Sequence, residues 1–277
     1  MWTLLVAAAL AAPPALSPGE VPMDVATVAA SVRGLPLAER IAAISGKFLN
    51  VPYLHDPEGE GGGHDPDPPG RYDVFDCLTF VEEVLSLSLA ADPADAGVIR
   101  RALRYGDDPV DYAHRRHFME AEWLPGAIDA GFLRDAAGDY GETVTLSKAL
   151  TPALWGSWGG RARFDLPDDR LPTGTMTLHV LPLATAVKVA SKIKPGSLVT
   201  VVRIDRSGVP YWITHLGFVL PGPAPVLRHA SHMASAMRVQ DHDLGWYIRN
   251  LGTWPNWPVL GVAIFEPVEQ GPPRRAP

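Results

Sequence analysis

The 277-residue chain contains a single cysteine, Cys77. An intramolecular disulfide is therefore impossible, and so is a zinc ribbon or finger, which needs several thiolates at fixed spacing. Cationic runs are equally scarce. Lys and Arg number 24 against 31 Asp and Glu, for a net charge of −7, and the densest basic run is the pair Arg115-Arg116. Binding nucleic acid takes a cationic footprint that displaces counterions, and without one nucleic acid is excluded as a partner. Histidines at helical zinc spacing are missing too. His114 and His117 stand three apart but lack acidic partners in register, so no metal or other cofactor is expected.

Long apolar runs are absent apart from Trp2–Ala12. That stretch is too short to cross a bilayer, which takes ~20 residues. It suits the apolar core of a secretory signal followed by small residues, although no Lys or Arg precedes it. The expectation is a signal peptide over 1–18, one domain over 19–277, and an exported protein of the periplasm or cell envelope. With the leader removed, nothing remains to insert stably into a membrane. Nothing in the sequence speaks to oligomeric state.

What is present is an ordinary globular composition, 47% hydrophobic and 20% charged, with 28 prolines placed mostly in loops and at the two ends. Leu37, Ile41, Ile44 and Phe48 recur at helical spacing, predicting a helix over 37–49. Another is predicted from Asp76-Cys77 to about Leu89, and 92–135 reads as mainly helical. The Gly-, Asp- and Pro-rich segment 55–70 has no periodicity, and an ordered loop of that length is more often a site wall than filler. Residues 140–190 give no firm pattern. From Pro195-Gly196 the character changes, with β-branched runs at 197–204, 211–220 and 226–230, a helix near 244–251 and a strand at 259–265. Helices first and a mostly antiparallel sheet afterwards indicate an α+β fold.

Cys77 follows Asp76, a good N-cap, and the stripe Leu78, Val81, Val84, Leu85 and Leu89 buries one helix face. The thiol thus stands in the first turn, where the helix dipole and unpaired N–H groups favour a thiolate. It is either a nucleophile or a buried structural cysteine; composition does not separate the two. A nucleophile needs a base, and the base an orienting partner. Alternation along Tyr211–Val219 puts Ile213, His215, Gly217 and Val219 on one face, and Gly217 leaves space beside the imidazole. If the next strand pairs through a turn centred near Gly222, His215 and His229 stand opposite each other and the second ring can fix the tautomer of the first. Lone strand histidines are also common in surfaces and cores, and three nearby prolines make that turn irregular.

Phe75–Glu82 (FDCLTFVE), Thr214–Gly217 (THLG) and Arg228–Ser231 (RHAS), in that order, resemble the NlpC-type, papain-like cell-wall cysteine hydrolases. The Thr-Phe-Val-Glu continuation after the cysteine is similar to the N-acetylmuramoyl-L-alanine amidase-like branch. Pro52-Tyr53, Gly59–Gly61, Arg116–Phe118 with Trp123, and Lys194–Gly196 match as well, so that the resemblance spans roughly 36–265. It implies a papain-like fold with Cys77 as nucleophile, His215 as base and His229 as orienting residue. It further implies that Tyr53, Asp76, Arg116 and His117 meet the substrate, a peptidoglycan or muropeptide cut at the N-acetylmuramoyl-L-alanine amide. The alternatives are a D-glutamyl–diaminopimelate endopeptidase on the same triad, a non-catalytic wall-binding module, and a general papain-type protease.

Overall fold

The computed structural model describes residues 20–233 and 236–269; the leader expected over 1–18 lies outside them. Two helices, α1 (Met23–Ser31) and α2 (Leu37–Gly46), precede the long loop. Helix α2 ends three residues before the periodicity suggested, because 47–50 form a turn and Asn50 adopts a positive φ of 70°. Then come α3 (Cys77–Leu89), α4 (Ala96–Tyr105) and α5 (Leu124–Asp129), the last preceded by a π-helical turn over Met119–Trp123. The remainder carries eight strands: β1 (Leu133–Asp135), β2 (Val144–Leu150), β3 (Gly174–Pro182), β4 (Leu198–Arg203), β5 (Ile213–Leu220), β6 (Val226–Ser231), β7 (Arg238–Asp243) and β8 (Val259–Pro267). Helix α6 (Pro152–Ser157) follows β2, α7 (Leu183–Val189) follows β3, and α8 (Leu244–Leu251) lies between β7 and β8.

The strands form one sheet in the order β2-β3-β8-β4-β5-β6-β7, with β1 also on β8, and every named pair is antiparallel. The fold is α+β, as the sequence pattern indicated. Two apolar cores cover its two faces. One joins Phe80, Val84, Phe75 and Trp123 to Leu216 and Phe218; the other joins Val199, Val201, Val219 and Leu227 to Leu244, Ile248 and Leu251 of α8. The central strands β4 and β5 are buried on both faces, which is why they read as near-continuous apolar runs.

Two features position the site. Gly196 (φ +88°) turns the chain into β4 against α2, where a Cβ would lie 3.1 Å from the Ala38 backbone. A buried ionic cluster ties the long loop to the helices. Arg104 of α4 pairs with Glu58 from the loop and, at 2.5 Å, with Glu82 of α3, while Trp123 Nε1 donates to Glu82 at 2.8 Å. Arg100 holds Glu83 at 2.6 Å, and Arg115 holds Asp65 at 2.7 Å and donates to the Glu58 carbonyl at 2.7 Å. The 55–70 segment is therefore ordered by charge pairing where apolar periodicity is lacking.

Candidate active site

Helix α3 begins on a capping box. Asp76 Oδ1 accepts from the Leu78 and Thr79 amides at 3.0 and 2.8 Å, and the Asp76 amide donates to Thr79 Oγ1 at 3.0 Å. This fixes Cys77 at the first helical position. The helix packs on β5 and β6. Although β5 begins at Ile213 and β6 runs to Ser231, their ladder stops at Phe218–Arg228. Beyond it the Leu216 amide helps to pull the Cys77 thiol's pKa down. Cys77 stands at the start of the helix packed on these two strands, near where they cease to pair.

His215 and His229 face each other across the same gap. His215 Nε2 lies 2.5 Å from His229 Nδ1, the rings are nearly perpendicular, and the residues are only 2% and 1% exposed. The pairing differs from the directly opposed one expected. The observed ladder, Phe218↔Arg228 to Leu220↔Val226, is centred on residue 223, not 222. That register sets His229 beside Gly217, and a Cβ at 217 would lie 2.8 Å from His229 Cβ and 2.7 Å from the Arg228 carbonyl oxygen. The space left by Gly217 is filled by His229, which passes over it to reach His215. Both histidines keep the same face because the pairing sum changes by an even number.

With Nε2 committed to His229, the buried Nδ1 of His215 has no partner among the described residues. If His215 carries its proton on Nε2, Nδ1 presents a lone pair, as a base requires. Burial, together with His229, His232 and Arg203, pushes the His215 pKa well below its usual value; burial pushes His229 down to about 3. Both rings are therefore neutral at pH 7. The thiol departs from the thiolate expected at a helix start. Burial and then the Asp76 charge push its pKa up, outweighing the Cys77, Leu216 and Leu78 amides that pull it down. The resting arrangement is thiol and imidazole, both uncharged.

The comparisons with known proteins bear on what such an arrangement does. The sequence pattern of the AmiA-like, N-acetylmuramoyl-L-alanine amidase-like family matches residues 43–253, a span that includes Cys77, His215 and His229. The chain belongs to that amidase-like family. Among solved structures, a Legionella pneumophila protein assigned to the DUF1460 family superposes with a TM-score of 0.76 at 21% identity, covering 88% of this chain and 93% of its own. An N-acetylmuramoyl-L-alanine amidase from Bacteroides uniformis superposes with a TM-score of 0.65, also at 21% identity, over 84% of this chain and 99% of its own. At such identity the likeness shows a shared fold. No protein of curated function matches the sequence.

In this amidase-like chain the other expected site residues divide. Tyr53 is at the thiol: its phenol is pushed up by burial and by the Cys77 and Asp76 charges, and its ring lies 5.9 Å from that of His232. Asp76 lines a cavity of about 420 Å³, but its Oδ1 is committed to the cap and Oδ2 accepts from the Asp56 amide at 3.3 Å. Arg116 also lines this cavity, yet its Nη1 donates to the Ala102 and Leu103 carbonyls, closing the end of α4. His117 is a wall residue, packed tilted or edge-on against Tyr112, Phe118 and Phe164, with Nε2 at 2.6 Å from the Tyr112 carbonyl. Burial lowers its pKa to about 4.

Several wall residues come from places where the sequence showed no motif. Trp158 and Phe164, in the stretch without a firm pattern, line the larger cavity alongside Glu120. Glu120 receives the Trp212 and Ile213 amides, the former at 2.6 Å, and so anchors the start of β5. A smaller cavity of about 200 Å³ touches His215 and His229 and is also lined by Arg203, His232 and Tyr247. Among the described residues no three His, Cys, Asp or Glu groups converge on a metal position. The alternation in β5 pointed to His215 on this side of the site; no local pattern pointed to Arg203, His232 or Tyr247.

Proposed function

We propose that the chain is a papain-like cysteine amidase of the cell envelope that hydrolyses the N-acetylmuramoyl-L-alanine amide of peptidoglycan or muropeptides. One observation carries this: a buried His215 whose Nε2 is held by His229, with Nδ1 unpartnered among the described residues, in a chain whose family pattern is amidase-like. Cys77 Sγ attacks the lactyl carbonyl carbon while its proton passes to His215 Nδ1. The developing oxyanion meets the Cys77 amide at the helix start and the Tyr53 hydroxyl. The carbon–nitrogen bond then breaks, the alanine nitrogen takes the proton from Nδ1, and a thioester remains on Cys77. Water gives a proton to Nδ1 as it attacks the thioester, and the proton returns to the departing sulfur.

Because the resting pair is neutral, thiolate forms only as attack begins. His229 fixes the tautomer and supports the imidazolium that forms transiently on His215. The aromatic and charged wall of the larger cavity suits a sugar-bearing substrate. Export rests on the apolar leader; no helix among the described residues is long and apolar enough to cross a membrane. The test is incubation of disaccharide-tetrapeptide with the protein and with Cys77→Ala and His215→Ala variants, products read by mass. Free tetrapeptide plus disaccharide from the unsubstituted protein alone supports the proposal. A cut within the peptide assigns an endopeptidase instead, and no cleavage of any muropeptide rejects the amidase reading, leaving Cys77 a structural thiol or the substrate a different one.

A further inference from the structure

The smaller cavity has an unused cation. Arg203, at the end of β4, donates from Nε to Thr214 Oγ1 at 2.8 Å and from Nη1 to the Trp257 carbonyl, and its guanidinium lies 4.5 Å from the centre of the Trp254 ring. These contacts hold the fork rigid. No Asp or Glu among the described residues acts on its charge; burial and Arg206 work against that charge, and Tyr247 works for it. The four buried arginines among the described residues, Arg40, Arg100, Arg104 and Arg228, are each paired with a carboxylate, and half-buried Arg203 is not. Ser231, His232, Met233, Tyr247 and the two site histidines complete the wall. His229 adds a second feature: its Nε2 is buried and has no partner among the described residues. If its Nδ1 accepts from His215, that Nε2 carries a hydrogen.

A fixed guanidinium on a small cavity that His229 also lines calls for an anion with two oxygens. We propose that this cavity is a carboxylate subsite, in which Arg203 holds a free carboxylate of the substrate's peptide arm beside the His215–His229 pair. The inference rests on the amidase reading for its choice of ligand. In a muramoyl-L-alanyl-γ-D-glutamyl substrate the first free anion beyond the scissile amide is the α-carboxylate of the glutamyl residue. Its capture would place the peptide arm against His215 and Tyr247 and leave the larger aromatic-lined cavity to the sugar.

The test uses the full chain with Cys77→Ala, so that ligand persists, and two muramoyl dipeptides, both with the glutamyl γ-carboxyl blocked as an amide, that differ only in whether the α-carboxyl is free or amidated. Calorimetry should show the acid binding about tenfold or more tighter than the amide, the usual scale of a charge-assisted, two-pronged contact. Adding Arg203→Met should bring the ratio close to one, and Arg203→Lys, which keeps charge without the fork, should fall between. Equal binding of acid and amide by the Arg203 protein overturns the proposal without recourse to any arginine variant. So does a ratio that survives Arg203→Met, or failure of both ligands to bind. Acid-selective binding in a protein whose Cys77 form cleaves no muropeptide would reject the amidase reading alone and leave the subsite standing.

Discussion

Replacing His229 separates the orienting role from the structural one. In His229→Ala, His215 Nε2 loses the partner now 2.5 Å away, in a place where both residues are almost fully shielded from water. A buried donor left unpaired costs about 1–3 kcal/mol of stability. During catalysis the same bond must support a positively charged His215, and hydrogen bonds to charged groups contribute about 1.5–3 kcal/mol. Since every 1.4 kcal/mol is about tenfold, kcat should fall roughly 10- to 150-fold. His229→Asn offers an amide oxygen near the position of Nδ1, so it should recover a large part of that loss. The assay is steady-state turnover of disaccharide-tetrapeptide by both variants, with urea unfolding in parallel. A kcat for His229→Ala within twofold of the parent, in a folded protein, would refute the orienting role. An Asn variant no faster than the Ala variant would refute the hydrogen-bond argument while leaving a packing role.

The titration of His229 gives a second prediction. Its pKa falls from 6.5 to about 3 on folding, so the unfolded chain binds the extra proton between those values, and stability is lost as pH drops below about 6.5. Glu120 and Glu122, both pushed up to about 7 by burial, act in the opposite sense, losing stability as pH rises from 4.5 toward 7. The stability difference between the parent and His229→Asn isolates the histidine: it should shrink or reverse in the parent's disfavour as pH is lowered from 6.5 to 4, and a difference independent of pH would contradict a buried neutral ring. A third concerns Gly217→Ala, where the added Cβ meets His229 Cβ and the Arg228 carbonyl below 3 Å. Overpacking of this kind costs about 1–3 kcal/mol, and because it displaces His229, kcat should drop more than KM rises. Unchanged thermal unfolding and turnover would show that the close approach is not required.

Much of the site was legible because its signals are local. Asp76 and Thr79 cap the helix through contacts three residues apart, so the start of α3 and the place of Cys77 follow from a short stretch of sequence. The helix at Leu244–Leu251 and the four strands between 198 and 267 that begin or end near the expected positions follow from runs and periodicity. Strand β7 was missed because Arg238–Asp243 alternates among mostly polar residues at an edge, where one neighbour and solvent leave little apolar demand. Gly174 to Leu183 reads as β-like pieces and is β3, but its partner β2 gave no signal, because β2 is an edge strand with a largely exposed pattern whose place is set by pairing over more than twenty residues of intervening chain.

By itself the sequence determined the α+β order of elements, the capped cysteine, and the histidines that share a strand face, because hydrogen bonds and side-chain alternation within a few residues dictate each of them. Only the tertiary structure decided how those pieces meet. The irregular turn among Pro221, Pro223 and Pro225 moved the hairpin register, so His229 crosses Gly217 instead of standing opposite His215. The ladder between β5 and β6 stops short of His215, and burial with the Asp76 charge favours the neutral thiol of Cys77 over the expected thiolate. Arg203, His232 and Tyr247 became neighbours of the pair through long-range packing. Desolvation and strand register are properties of the assembled sheet, set by every element that covers it, and no window of the chain contains them.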